Sequence, residues 1–172
     1  MPGHIQSIER AAAILRLLSG PSRRLKLSEL ASELGLPKGT AHGLLRTLQC
    51  VGFVEQDEES GKYQLGPALL PMGSSYLDGN ELRTRARGVA SKLAILTGES
   101  VHVGSLHHDQ VLILHQVLPR DDIRDTLEVG NLLPAHGTAL GEVLTANHGN
   151  ESSERDWAST IVVLEPTSSI TW

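Results

Sequence analysis

Apolar and polar positions alternate with a helical period over most of the first fifty residues. Ile8, Ala11, Ala12, Leu15 and Leu18 recur at three- and four-residue spacing, so the sequence predicts a first amphipathic helix from about Ser7. Gly20-Pro21 ends it, because proline cannot continue a helix. Ser28 has the chemistry of an N-cap and Glu29 sits where the helix dipole favours an acid. Leu30, Ala31 and Leu34 form the apolar stripe of a short second helix, and Gly35 supplies a left-handed stop. Pro37 suits the first position of a third helix, with Ala41, Leu44, Leu45 and Leu48 on its inner face. At 100° per residue the outer face centres on Gly39, Gly43 and Arg46, flanked by His42 and Thr47. Gly52 closes this helix. Phe53–Gln56 and Lys62–Leu65 then read as two strands around Asp57-Glu58-Glu59-Ser60-Gly61. Two short helices joined by Gly35-Leu36-Pro37 and followed by a hairpin predict a winged helix-turn-helix over residues 4–66. An ordinary three-helix packing unit is the alternative.

Residues 67–80 read as a broken linker, with Pro67, Pro71, Gly73 and Gly79 interrupting it. Asn80 can cap a further helix with the stripe Leu82, Ala86, Val89, Leu93 and Leu96, stopped by Gly98. Ser100–Leu106 and Val111–Val117 read as strands around His107-His108-Asp109-Gln110. Helix, hairpin and helix give an α/β pattern for residues 81–172. The fold class expected is therefore α+β, a winged helix followed by an α/β domain.

The 172 residues suit one or two domains and are 40% hydrophobic and 20% charged, which argues against wholesale disorder. The uncharged stretch 63–77, broken by two prolines and two glycines, falls short of a membrane span, and the start lacks a signal pattern. A cytoplasmic chain without membrane contact is expected. Cys50 is the only cysteine, so an internal disulfide is impossible; the angular count puts it outside the third helix, as a surface spectator. The net charge of −5 is uneven. Residues 1–50 carry seven Lys/Arg against three Asp/Glu, a net +4, whereas residues 101–150 carry two against six, a net −4. A basic head on an acidic body suits a DNA-reading end joined to an end with another task, because phosphate neutralisation is local. Five aromatic residues are too few for a base-stacking platform.

Ser7-Ile8-Glu9-Arg10-Ala11, Leu27-Ser28-Glu29-Leu30-Ala31, Gly35-Leu36-Pro37-Lys38-Gly39-Thr40-Ala41-His42, Gly61-Lys62-Tyr63-Gln64-Leu65-Gly66 and Leu133-Pro134-Ala135-His136-Gly137-Thr138-Ala139-Leu140-Gly141 occur in that order. Together they resemble the IclR family of bacterial transcription regulators, from about Ile5 to Ala146. The resemblance implies a GAF-like sensing fold for the second domain. It also implies control of a carbon-catabolic operon, glycerol use being the nearest within the family, with glycerol 3-phosphate as the effector. The family commonly has serine at Gly39 and often arginine at Gly43. Two bare positions either let the backbone approach DNA closely or mark lost contacts on a frayed helix. Asn147–Trp172 shows no family pattern although the family's domain normally runs further, so an incomplete effector domain is expected. Ile161–Leu164 reads as a strand lacking the further strands that would close a sheet.

The expected DNA-contact residues are Ser28, Lys38, Gly39, Thr40, His42, Gly43, Arg46, Thr47 and, on the wing, Lys62. Arg46 is foremost, because its planar fork binds guanine or phosphate in bidentate fashion. The expected effector loop is Ala135, His136, Gly137, Thr138 and Ala139. A helix starting near His136 would leave the amides of Gly137, Thr138 and Ala139 as first-turn donors for an anion, with His136 and Thr138 adding side-chain donors. A plain capping turn is the alternative.

No cofactor is expected. Neither is a metal: His102, His107, His108 and His115 surround one hairpin without matching carboxylate or cysteine spacing. No phosphate-binding loop, dinucleotide fingerprint or nucleophile elbow occurs, so catalysis is not expected. Asn150-Glu151-Ser152 fits a glycosylation sequon that a cytoplasmic chain would leave unmodified. The reading is a DNA-binding repressor acting as a homodimer or tetramer, its DNA-binding helices about 34–36 Å apart and its spacing set by a metabolite. Its rivals are a winged-helix protein-interaction module, favoured by the acidic hairpin tip, and a truncated regulator without function.

Overall fold

A computed structural model of the chain describes residues 4–118, 129–148 and 161–165, the last five and residues 147–148 by backbone alone. The Asn150 sequon and most of the segment 147–172 lie outside the described residues. The chain divides into two units, Met1–Ser74 and Ser75–Trp172.

In the first unit, α1 (Gln6–Ser19), α2 (Leu27–Glu33) and α3 (Lys38–Cys50) precede β1 (Val54–Gln56) and β2 (Tyr63–Leu65). The strands pair antiparallel, Glu55 opposite Gln64. The core combines Ile14 and Leu18 of α1, Leu30 of α2, Leu45 and Leu48 of α3, Val54 and Tyr63. Ile14 rather than Ile8 centres the buried face of α1, and Ile8 is exposed. The turn between α2 and α3 needs Gly35, whose φ of +59° lies in the left-handed region. Ser28 is not the N-cap of α2. That place falls to Lys26, whose backbone amide donates to Glu29 Oε2 at 2.6 Å and leaves Ser28 in the exposed first turn. Pro37 likewise holds the N-cap of α3 rather than its first helical position. The sequence suggested no strand before α2, yet Leu25 bridges Tyr63 through two backbone hydrogen bonds of 3.1 and 2.7 Å. The wing therefore has a third, one-residue rung.

The segment read as a broken linker forms a continuous helix, α4 (Leu69–Asp78), with Pro71 in its first turn, where a missing amide costs nothing. The unit boundary falls within it.

In the second unit, Asn80 caps α5 (Glu81–Thr97) by accepting from the Arg83 amide at 2.9 Å, and Gly98 ends it at φ +73°. The sheet has the order β5-β4-β3-β6, formed by β3 (Ser100–His107), β4 (Gln110–Val117), β5 (Leu132–Pro134) and β6 (Ile161–Glu165). All the pairings are antiparallel. The Ile161–Leu164 stretch thus finds its partner in β3. The α5 stripe differs from expectation: Ala86, Ala90 and Ala94 are buried against Val101 and Val103, with Leu82 and Leu93 beside them. Val89 and Leu96 are 60% and 82% exposed. Steps of four keep to one face, while the three-residue steps into 89 and 96 rotate off it.

A bulge in β4 opposes Val103 to His115 but Gly104 to Ile113, so Leu114 is the extra residue. Odd-numbered residues of β4 consequently serve both faces. His115 and Val117 share the α5 side with Val103 and Val101, and Val111 and Ile113 share the opposite side with Leu106. That opposite side is covered by Leu140 and Leu144 of α6 (Ala139–His148). A Cβ built on Gly141 would lie 2.1 Å from the Ala135 carbonyl oxygen, so only glycine lets α6 sit this close to the preceding turn.

Two glycine substitutions should have opposite signs in thermal unfolding. Gly141→Ala should cost about 1–3 kcal/mol or more through backbone overlap. Gly43→Ala, in an exposed helix interior with nothing within 4 Å of the added methyl, should gain about 0.5–1 kcal/mol.

Candidate nucleic-acid interface

Burial of one face of α3 dictates what the other presents. Ala41, Leu45 and Leu48 face the core. Lys38, Gly39, His42, Gly43, Arg46, Thr47 and Cys50 are exposed, with Thr40 half-buried at the margin. Nothing lies within 4 Å of a Cβ placed on Gly39 or Gly43, so the helix backbone is bare along this line. From Lys38 to Arg46 the line covers about 12 Å of helix axis, the scale of a major-groove opening. Among the described residues neither Lys38 nor Arg46 forms an ion pair. Their charge is therefore available to an outside anion. Thr47 is partly committed, because its hydroxyl donates to the Gly43 carbonyl at 3.0 Å.

Lys62 immediately precedes β2 and is half-buried. The wing tip beside it is acidic and closed. Asp57 accepts from the Ser60 hydroxyl at 2.6 Å and from the Ser60 amide at 2.8 Å. These bonds hold its carboxyl below the ordinary value, with the Arg24 charge adding a smaller effect. Gly61, at φ +66°, completes the turn.

The second unit keeps its candidate loop together on one turn. Ala135 is buried and its amide donates to the Asp109 carbonyl at 2.9 Å. His136 and Gly137 are exposed, Gly137 at φ +90°. The helix begins at Ala139 rather than near His136, so Gly137 and Thr138 precede its first turn. The Thr138 hydroxyl caps it, accepting from the Gly141 amide at 3.2 Å while donating its proton to the Pro134 carbonyl at 2.9 Å.

The histidines around the hairpin separate. His107 and His108 stack edge to face at the exposed turn, His108 at φ 57°. His102 is buried and takes Gln116 Nε2 at 2.9 Å on the α6 side. His115 lies on the α5 side, its pKa lowered by burial and then by the charges of Arg87 and Arg83. Among the described residues no group of three His, Cys, Asp or Glu could hold a metal ion, and no helix is long and apolar enough to cross a membrane.

A winged helix-turn-helix with a bare cationic face, followed by an antiparallel sheet between two helices, defines a two-part regulator architecture. Residues 7–58 match the IclR helix-turn-helix domain and residues 74–171 match the bacterial transcriptional regulator IclR C-terminal domain. The chain belongs to the IclR family of bacterial transcriptional regulators. The second match runs past Ala146, where the resemblance was read as ending, so the segment from Asn147 that was read as lacking the family pattern lies within the match as far as residue 171.

The Glycerol operon regulatory protein of Streptomyces coelicolor is 60% identical over 146 residues, covering 85% of this chain and 58% of that protein. Its Streptomyces griseus counterpart is 57% identical over the same shares. Among solved structures, an IclR regulator from Alicyclobacillus acidocaldarius aligns with a TM-score of 0.68 at 34% identity, over 81% of this chain and 57% of that one. One from Brucella abortus aligns with a TM-score of 0.73 at 27% identity, over 83% and 54%. The chain thus spans 58% of the length of the two Streptomyces relatives.

The position of His115 predicts a pH dependence. Burial and the two arginines favour neutral imidazole, so the unfolded chain protonates at the ordinary 6.5 before the folded one does. Stability present above that pH should fall as pH drops from 7.5 to 5.5, read as the urea midpoint by far-UV circular dichroism. His115→Gln should flatten the slope in this window.

Proposed function

We propose that this chain is a sequence-specific DNA-binding transcription regulator, a repressor of a carbon-catabolic operon concerned with glycerol. The observation that carries the reading is the outer face of α3, which unites bare backbone with unpaired lysine and arginine. In this reading α3 enters the major groove with Lys38, Gly39, Thr40, His42, Gly43, Arg46 and Thr47 towards the duplex. Ser28 and Lys62 flank it on the phosphates. The names of the two Streptomyces relatives, and of an Acetate operon repressor from Salmonella typhimurium that is 31% identical over 87% of this chain and 55% of that protein, supply the operon class and the sign. The proposed location is the cytoplasm.

The working form is a homodimer or tetramer. Support comes from α4, where Leu70, Met72 and Tyr76 are exposed and no residue is buried, a poor surface to leave in water. The loop Ala135, His136, Gly137, Thr138 and Ala139 receives an anionic effector, with glycerol 3-phosphate proposed. First-turn amides of α6 and its dipole favour an anion there. Thr138 would contribute through its backbone, because its hydroxyl proton goes to Pro134.

Fluorescence anisotropy of the full chain on a labelled 30-bp duplex from a glycerol-operon promoter tests the reading. Log affinity should fall linearly with log salt between 50 and 200 mM, and Arg46→Ala should weaken binding and cut the slope by about 0.9. No duplex binding at 50 mM salt would overturn it in favour of the protein-interaction module that the acidic wing tip suggests. By light scattering, Met72→Glu should shift the assembly towards monomer.

A further inference from the structure

We propose that the base of the wing, not its tip, is a second DNA-backbone contact, formed by Arg24 and Lys26 alongside Lys62. This extends the DNA-binding reading and rests on it. The Leu25–Tyr63 bridge runs antiparallel, so it sets Lys26 beside Lys62 and Arg24 beside Gln64. Leu25 and Tyr63 turn inward, half-buried and buried, and alternation sends Arg24, Lys26, Lys62 and Gln64 to the outer side. Arg24 and Lys26 are exposed.

Three carboxylates of the same elements, Glu29, Glu55 and Asp57, are each engaged by a neutral donor. Glu29 takes the Lys26 backbone amide, Glu55 takes the Gln64 side-chain amide, and Asp57 takes both Ser60 donors. Among the described residues none of Arg23, Arg24, Lys26 and Lys62 forms an ion pair. Although the Arg24 charge reaches Asp57 weakly, cations that form no ion pair and stand at strand spacing match the repeating charge of a phosphate backbone. Arg23 and Arg24 also edge an open groove of about 410 Å3 floored by Leu18 and Leu65. A strand of duplex offers both anionic phosphate and apolar sugar to such a surface. The acidic tip, Asp57 to Glu59, repels the same backbone, which leaves the base as the wing's only anion-attracting part among the described residues.

The test is the salt slope of full-chain binding to a labelled random-sequence 30-bp duplex, with wild type measured alongside. The double variant R24A/K26A should bind more weakly, with a slope shallower by about 1.8, two phosphate contacts' worth. R24K/K26R, which keeps both charges, should retain the wild-type slope. A slope for R24A/K26A equal to wild type, on a wild-type chain that binds, would overturn the wing-base contact alone. A wild-type chain that binds no duplex would remove the DNA-binding reading and this contact with it.

Discussion

Everything on the exposed side of the helix-turn-helix depends on α3 being held by one face only. Leu45 and Leu48 pack in one cluster with Leu30 and the α1 residues Ile14 and Leu18, Ala41 is buried on the same face, and this burial fixes the roll of the helix about its axis. A thirteen-residue helix has little stability by itself, so tertiary packing decides both that it forms and how it is turned. Once the alanine-leucine face is seated, Gly39, Gly43 and Arg46 have nowhere to point but outward. The two glycines weaken the helix, and the packed face has to offset that cost. Exposure and fragility therefore come from the same residues.

Much of the first unit was legible in the sequence. The α2 and α3 stripes, the Gly35 and Gly52 stops and the hairpin all appear as read, because local periodicity and left-handed glycines carry that information in adjacent residues. The exposed set on α3 follows from angular counting alone. The Leu25 rung was not legible: a single bridging residue has no periodicity, and its partner lies 38 positions away. Cap positions slipped by one or two residues, since Lys26 caps with its own backbone and needs no polar side chain there. Ser28, read as a structural cap, became a free first-turn hydroxyl as a result.

The second unit was harder to read for a physical reason. An alanine line at positions 86, 90 and 94 is a weak hydrophobic signal beside Val89 and Leu96, yet small side chains are what close approach to a sheet requires. The bulge at Leu114 is equally silent. It changes which side Ile113 and His115 occupy while leaving the alternation of the sequence unbroken. The helix after the candidate effector loop was read as starting near His136, but it starts at Ala139, so Gly137 and Thr138 precede it. The Thr138 hydroxyl explains the delay, because a side chain that bonds backward to Pro134 and forward to Gly141 marks a helix boundary.

The Leu25 rung has a mechanical consequence. Its two hydrogen bonds staple the strand that leads directly into α2 to the middle strand of the wing. Any tilt of the hairpin is thereby imposed on the start of α2, and through the Gly35 corner on α3. In the proposed DNA complex these three elements would move as one stiff clamp, so groove width rather than loop flexibility would set how well this head seats.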